Sequence, residues 1–160
     1  MNKFGVHGLV WTGTWGAREG AYNVESSKEA GFDLVEFPVF SADQMDITAI
    51  DTASVYGNGH SERMVARAVG QDRDRVVIAT KVFANEMRHD QVMAACERSL
   101  VNLKTDYIDL YQIHWPSGSF GSDQVPIEET MQALVRLREQ GKIRAIGVSN
   151  FSRTQLAEAL

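Results

Sequence analysis

The chain has little of three things that would set it apart from ordinary globular proteins: cysteine, proline and long apolar runs. Its one cysteine, Cys96, cannot form an internal disulfide. It falls at helical spacing among Val92, Leu100 and Leu103, which predicts a buried packing residue. Prolines number only three in 160 residues. No apolar stretch approaches the ~18 residues of a membrane span, and no signal-peptide pattern opens the chain. We therefore expect a cytoplasmic protein without a membrane segment.

A basic cluster is also missing. Lysine and arginine number 16 against 21 aspartate and glutamate, which gives a net charge of −5, and the basic residues are dispersed. A nucleic-acid surface or a polybasic membrane patch is therefore not expected. His7, His60 and His89 show no metal-ligand spacing, so no metal site is predicted. The stretch Gly57–Gly59 is too short for a dinucleotide fingerprint, and no G-x-G-x-x-G follows a strand-like run.

What the sequence does contain is a regular alternation of strand-like and helix-like segments. Alternation of this kind is typical of βα units and a parallel sheet. The predicted strands are residues 4–11, 32–37, 47–53, 75–82, 107–114 and 143–149, and the predicted helices are residues 22–30, 61–69, 90–103, 127–140 and 154–160. The length suits one domain with a real core. The expected fold is therefore α/β, with about five βα units.

One place breaks the alternation. The predicted strands at 32–37 and 47–53 are separated only by residues 38–46. A crossover between two adjacent parallel strands needs about a dozen residues or more. Either these two strands pair in another way or one of them is not a strand.

Four polar residues lie at or just after the ends of predicted strands. Asp51 and Tyr56 belong to I-D-T-A-S-V-Y-G-N-G-H-S-E. Lys81 lies at the end of the run V-V-I-A-T-K-V, and His114 ends D-Y-I-D-L-Y-Q-I-H. Alternating strands and helices collect their catalytic loops at the C-terminal edge of the sheet. We therefore expect these four side chains to meet there.

Together these groups form a set that can donate a proton. A phenol has a pKa near ~10 and is a weak acid at neutral pH, but a neighbouring ammonium favours the phenolate. Lys81 can take this part if Asp51 secures its charge, while His114 can hydrogen-bond a substrate carbonyl or relay a proton. The set suits protonation of an oxygen that becomes negative when a carbonyl is reduced by hydride. The hydride would have to come from a nicotinamide cofactor.

Each of these residues also has a structural interpretation. Tyr56 can be an aromatic residue of a turn, and Asp51 the cap of that turn. Lys81 can be a solvated strand end, and His114 a polar residue whose hydrogen bonds are satisfied locally. Trp11 and Trp15 can stack on a substrate or belong to an aromatic core or rim; the second is the simpler interpretation.

From about residue 47 to residue 160 the sequence resembles the aldo-keto reductases, whose fold is a TIM barrel. The resemblance rests on I-D-T-A-S-V-Y-G-N-G-H-S-E, V-V-I-A-T-K-V, L-K-T-D-Y-I-D-L-Y-Q-I-H-W-P and G-K-I-R-A-I-G-V-S-N-F-S. It implies a catalytic tetrad of Asp51, Tyr56, Lys81 and His114, with Tyr56 as general acid, and contacts of Ser149 and Asn150 with the nicotinamide carboxamide. It also implies NADPH as the cofactor and a small aldehyde or ketone as the substrate.

The resemblance further implies an incomplete barrel, because the family continues through more strands, with more cofactor contacts, than a chain ending at residue 160 provides. Residues 1–46 resemble instead the opening βαβ of sugar epimerases of the xylose-isomerase-like TIM-barrel group, through F-G-V-H-G-L-V-W and E-A-G-F-D-L-V-E-F. W-T-G-T-W also resembles the first reductase strand. We expect a single incomplete TIM-type (β/α) barrel, residues 1–160, with a fusion seam near residues 46–47, as in a chimera. Epimerase activity is not expected.

Two functions follow as alternatives. The first is an NADPH-dependent carbonyl reductase that uses the tetrad. The second is a catalytically silent fragment or chimera that keeps the tetrad but lacks cofactor affinity. An open barrel exposes strand edges and apolar faces, so self-association is also expected.

Overall fold

The computed structural model describes residues 5–7, 34–36 and 49–159. The chain divides into two compact units, residues 1–46 and 47–160. In the first unit, β1 (Gly5–His7) and β2 (Leu34–Glu36) pair in parallel, with Val6 opposite Val35. The helix predicted at 22–30 and the two tryptophans near the N-terminus lie outside the described residues.

The second unit is built around a four-stranded parallel sheet. Its strands are β3 (Ala49–Asp51), β4 (Val77–Val82), β5 (Ile108–Ile113) and β6 (Ile143–Val148). Its helices are α1 (His60–Val69), α2 (His89–Leu103), α3 (Ile127–Glu139) and α4 (Arg153–Ala159). The strands lie in the sheet in their chain order, so α1, α2 and α3 each connect neighbouring strands. The predicted α/β succession is confirmed.

The structure contains both strands that the sequence predicts on either side of residues 38–46. β2 pairs with β1, whereas β3 pairs with β4. Among the strands that the structure describes, β2 and β3 therefore belong to different sheets. The short connection of residues 38–46 does not have to form a crossover between adjacent strands of one sheet.

The core of the second unit lies between the sheet and its helices. It includes Ile78, Val82, Ile108, Tyr111 and Ile113 from the strands, Val92, Cys96, Leu100 and Leu103 from α2, and Ala133, Leu134 and Leu137 from α3. Burial of each large apolar side chain contributes about 1.5–3 kcal/mol. Cys96 has no exposed surface, which confirms the prediction of a packing residue.

The helix boundaries agree with the sequence pattern at most ends. Gly70 closes α1 by donating its backbone N–H to Ala66 O. Gly141, with φ +73°, follows α3. The helix predicted at 90–103 begins one residue earlier, at His89. Arg88 precedes the helix, and its backbone N–H donates to Gln91 Oε1 at 3.1 Å.

Candidate active site

The parallel register brings the predicted site residues to one edge of the sheet. Asp51 is the last residue of β3, and Lys81 lies near the end of β4. His114 follows β5 directly, and Ser149 follows β6. Lys81 is opposite Gln112 in the register, so Lys81, Gln112 and His114 lie on the same face, since alternate residues of a strand share a face. The C-terminal ends of four adjacent strands thus supply the site.

Lys81 and Asp51 form the buried base of this edge. Lys81 is 1% exposed, and its Nζ lies 2.5 Å from Asp51 Oδ2. The ammonium also donates to the backbone carbonyl oxygen of Thr52 at 3.1 Å. A buried charge is costly unless it is paired and hydrogen-bonded, and here it is both. The interpretation of Lys81 as a solvated strand end is therefore wrong.

Tyr56 reaches the same place from the loop between β3 and α1. Its ring centre is 5.7 Å from Lys81 Nζ, within the range of a cation–π contact. The ring also meets that of His114 edge to face, with 5.6 Å between centres and an interplanar angle of 83°. Tyr56 is 44% exposed, so a small molecule can reach its side chain.

The loop that carries Tyr56 is held by backbone hydrogen bonds. The Tyr56 N–H donates to Ala53 O at 3.1 Å, and the Ser61 N–H donates to Tyr56 O at 3.1 Å. Ser54 binds the adjacent strand, because its Oγ donates to Lys81 O at 3.0 Å. Tyr56 therefore lies in a turn, as the structural interpretation required, and also beside the charged pair. The two interpretations are compatible.

His114 is largely buried, at 8% exposure. Its backbone N–H donates to Val82 O at 2.9 Å, which extends the pairing of β4 and β5. The Phe83 ring packs against the imidazole with 5.7 Å between centres. The ring is thus enclosed by two aromatic neighbours, Tyr56 on one side and Phe83 on another.

Ser149 and Asn150 lie directly beside His114. The Ser149 N–H donates to Ile113 O at 2.8 Å. Asn150 has a φ of +61°, a left-handed conformation that asparagine tolerates better than most residues. This conformation lets its Nδ2 donate to His114 O at 2.8 Å and to Ser149 Oγ at 3.0 Å. The structure therefore brings all six predicted site residues to the same edge.

Three aromatic residues beside the site are absent from the sequence prediction. Phe83 stacks on Phe120 with 5.6 Å between ring centres and an angle of 19°. Trp115 meets Phe120 edge to face at 5.2 Å. Phe120 is 71% exposed, so this aromatic wall presents an apolar surface. A signal was present, because Phe83 follows Lys81 by two positions and Trp115 follows His114 directly.

In the part of the chain that the structure describes, no three His, Cys, Asp or Glu side chains are grouped so as to hold a metal ion. Within the same residues, no helix has the length and apolar character needed to cross a membrane.

The arrangement has a definite chemical capacity. An accessible phenol lies next to a buried, paired ammonium, and an imidazole flanks the phenol. An oxygen atom bound between Tyr56 and His114 would meet two groups able to donate hydrogen bonds or a proton. Such groups stabilise negative charge that develops on oxygen during a reaction.

Comparison with known proteins places the chain in a family. The model of the aldo/keto reductase family matches residues 10–160. Aldo-keto reductase YhdN of Bacillus subtilis is 46% identical over 121 residues, 69% of this chain and 35% of that protein. Glyoxal reductase of the same organism is 38% identical over 141 residues, 88% of this chain and 47% of the relative. Methylglyoxal reductase DkgB of Escherichia coli O157:H7 is 36% identical over 128 residues, 80% and 47% respectively.

Solved structures give the same result. A thermostable aldo-keto reductase, Tm1743, in complex with the inhibitor epalrestat aligns with 98% of this chain and 52% of its own, at 33% identity and a TM-score of 0.63. An aldo-keto reductase of Klebsiella pneumoniae in complex with NADPH aligns with 97% of this chain and 48% of its own, at 30% identity and a TM-score of 0.63. The parallel βα succession is therefore part of a TIM-type barrel, as predicted.

The matches cover most of this chain but only part of its relatives. The chain spans about half the length, or less, of the curated relatives that it matches. The family match begins at residue 10, so it includes most of the segment that the motifs from residue 47 onward leave out. The boundary between the two compact units falls between residues 46 and 47, where the seam is predicted. A chimeric origin of segment 1–46 stays a prediction.

Proposed function

The chain belongs to the aldo/keto reductase family, and from this premise we propose that it reduces the carbonyl group of a small aldehyde or ketone to an alcohol, with NADPH as the reductant. The observation that carries the proposal is the convergence of Tyr56 and His114 above the buried ion pair of Lys81 and Asp51. A family match alone would not supply this convergence. The side chains must also be close enough to act on one oxygen atom.

In this proposal Tyr56 is the general acid. Its hydroxyl donates a proton to the substrate oxygen as that oxygen gains electron density. The phenolate left behind is stabilised by the ammonium of Lys81, whose Nζ is 5.7 Å from the Tyr56 ring centre. Asp51 keeps that ammonium charged and fixed in place. The pair therefore acts on the acid and not on the substrate.

His114 orients the substrate carbonyl. Its burial between the rings of Tyr56 and Phe83 fixes the imidazole plane. Asn150 fixes the backbone beneath it through the 2.8 Å hydrogen bond to His114 O. A side chain held in this way can present a ring nitrogen to the carbonyl oxygen without a large loss of conformational freedom on binding.

The residues beside His114 suit a nicotinamide. A carboxamide needs both a donor and an acceptor, and the Ser149 hydroxyl together with the Asn150 amide offers both. Bound there, the cofactor would supply the hydride that no side chain can supply. The Klebsiella relative, whose structure is a complex with NADPH, supports NADPH as the first cofactor to test. Ser149 and Asn150 are the proposed contacts with its carboxamide.

The aromatic wall of Phe83, Trp115 and Phe120 supports a substrate with a small apolar part. Aromatic faces bind apolar groups and exclude water from them. Relatives named methylglyoxal reductase and glyoxal reductase make short dicarbonyl aldehydes the first substrates to assay.

A second candidate is a silent protein that keeps the tetrad but does not bind the cofactor. Without a bound and oriented cofactor, the tetrad has no hydride to work with, because catalysis of this kind depends on holding the reactants together.

Titration of NADPH, followed by its fluorescence, separates the two candidates. Binding together with NADPH-dependent loss of methylglyoxal supports the reductase, whereas no binding at millimolar cofactor supports the silent protein. In an active protein, Tyr56→Phe should reduce kcat by about 100-fold or more, with NADPH affinity nearly unchanged. The matched control is Tyr107→Phe, which removes a hydroxyl that donates to Asp74 Oδ1 on the surface and should leave turnover intact.

A further inference from the structure

Glu62 is a fully buried acidic residue outside the tetrad. It lies in the first turn of α1 and has 0% exposure. Its Oε1 accepts a hydrogen bond from Thr80 Oγ1 at 2.7 Å, and its Oε2 accepts one from Asn102 Nδ2 at 2.9 Å. A buried carboxyl group is costly unless it is hydrogen-bonded. Each oxygen of Glu62 accepts a hydrogen bond, so the surrounding fold accommodates a buried carboxylate at this position.

These two hydrogen bonds join three elements of the fold. Glu62 belongs to α1, Thr80 to β4 and Asn102 to α2. Thr80 directly precedes Lys81, and their side chains point to opposite faces of the sheet. Glu62 therefore holds β4 from the helix side at the residue next to the catalytic lysine candidate.

The same helical turn also anchors the loop of Tyr56. The Ser61 N–H donates to Tyr56 O at 3.1 Å, and the Gly59 N–H donates to Ser54 O at 2.8 Å. The end of the loop is thus continuous with the turn that contains Glu62. Movement of this turn away from β4 would carry Tyr56 away from Lys81.

Gly59 shows how tightly the loop packs against this group. A Cβ at position 59 would lie 2.5 Å from Asn102 Nδ2, and the residue has a φ of +77°. Arg63 Nη1 donates to Asn102 Oδ1 at 3.3 Å, which leaves the Asn102 NH₂ group facing Glu62. The orientation of the Asn102 amide allows its NH₂ group to donate to Glu62, and the absence of a Cβ at Gly59 leaves room for that NH₂ group.

We propose that Glu62 is a positioning residue that sets the distance between Tyr56 and Lys81 by tying α1 and its preceding loop to β4. The inference rests on the proposed function, because its effect on turnover passes through Tyr56 and Lys81. Its structural part, the tethering of the loop, can be measured without catalysis.

The first test is Glu62→Gln. Glutamine presents one acceptor and one NH₂ group where the carboxyl group presents two acceptors, so one of its two hydrogen bonds is lost. We expect kcat to fall about tenfold, with the KM for NADPH unchanged. Hydrogen exchange at the amides of Tyr56, Gly59 and Ser61 should accelerate about tenfold, while exchange in β5 stays the same.

A second pair of variants covers the case in which Glu62→Gln does not fold. Thr80→Val removes the hydroxyl donor with little change of shape, and it should also lower kcat and accelerate hydrogen exchange in the loop. Thr80→Ser keeps the hydroxyl, so its kcat and its loop exchange should match those of the wild-type protein. The matched control is Glu128→Gln, an exposed acidic residue in the first turn of α3. It removes a carboxylate at a helix N-terminus and should change neither kcat nor loop exchange.

Two results would overturn the proposal. One is wild-type kcat and wild-type loop exchange in both Glu62→Gln and Thr80→Val. The other is acceleration of exchange in β5 equal to that in the loop, since this would show a general loss of stability. If the wild-type protein binds NADPH but reduces no carbonyl, the proposed function fails, and the exchange data alone decide the role of Glu62.

Discussion

Lys81 Nζ lies 2.5 Å from Asp51 Oδ2, across two neighbouring parallel strands. The lysine side chain is 2% exposed and the aspartate side chain 18% exposed. The partner with less access to water therefore carries the positive charge. Removal of the aspartate would leave that charge with little solvent and without the carboxylate now 2.5 Å away.

Asp51→Asn is expected to destabilise the protein by about 3 kcal/mol, the cost of leaving one member of a buried ion pair without its partner. Urea unfolding measures the change. Asp72→Asn is the control, because Asp72 pairs with Arg75 on the surface, with side chains 64% and 82% exposed, and such pairs contribute roughly 0–1 kcal/mol. Equal effects of the two substitutions would contradict the importance of burial at Asp51.

Gly147→Ala tests why the motif G-V-S-N-F begins with glycine. A Cβ at this position would lie 2.9 Å from Gln112 Cγ and 3.1 Å from Leu110 Cδ1. Overpacking of this kind costs about 1–3 kcal/mol, and we expect urea unfolding to show a loss in this range. Gly141→Ala separates the steric effect from backbone strain, since Gly141 has a φ of +73° and open space around it. Wild-type stability in Gly147→Ala would show that Gln112 can move aside.

Much of the fold could be predicted from the sequence, because the pattern of apolar residues within each segment indicates whether it forms a strand or a helix. The bounds of β4 differ by at most two residues from the apolar run at 75–82. The bounds of α3 differ by one residue from the amphipathic pattern at 127–140. The partner strands, β1 for β2 and β4 for β3, could not be predicted in this way. Strand pairing depends on which segment comes to lie alongside, and that information is not contained in either run.

In the candidate site, too, some residues could be assigned from the sequence and others depend on tertiary contacts. Asp51, Lys81 and His114 could be assigned because strand ends in a parallel sheet share one edge. For the aromatic wall, the sequence places Phe83 and Trp115 close to Lys81 and His114. The contact of Phe83 with Phe120 could not be assigned, since it joins two separate loops. Glu62 was also missed. Its position in a surface helix suggests a solvated carboxylate, and only the packing of α1 on β4 and α2 shows that it is buried.

The buried thiol of Cys96 predicts a loss of stability at alkaline pH. Burial raises the pKa of Cys96 from 9.0 to about 12, and nearby Glu97 adds to the increase. Below pH 9 the thiol is protonated in both the folded and the unfolded chain, and its contribution is fully present. Between pH 9 and pH 12 only the unfolded chain releases the proton. The free energy of unfolding therefore falls by about 1.4 kcal/mol per pH unit from this group.

Cys96→Ala isolates this contribution. Urea unfolding at pH 8 and at pH 10 should show that the wild-type protein loses about 1.4 kcal/mol more than the variant over this interval. Other alkaline groups, including the buried Tyr111, titrate in both proteins and largely cancel in the comparison. Parallel pH dependence of the two proteins would show that the thiolate is tolerated in the folded state.

The end strands of the four-stranded sheet predict self-association. β3 and β6 are its first and last strands, and among the strands that the structure describes each pairs on one side only. A strand edge with unpaired backbone groups is a template for a strand of another molecule. Sedimentation velocity over a range of concentrations should therefore show species larger than the 17.8 kDa chain. The thermal midpoint should rise with concentration, because association stabilises the folded state by mass action. A monomer of 17.8 kDa at every concentration, with a constant midpoint, would mean that the edges are covered within one molecule.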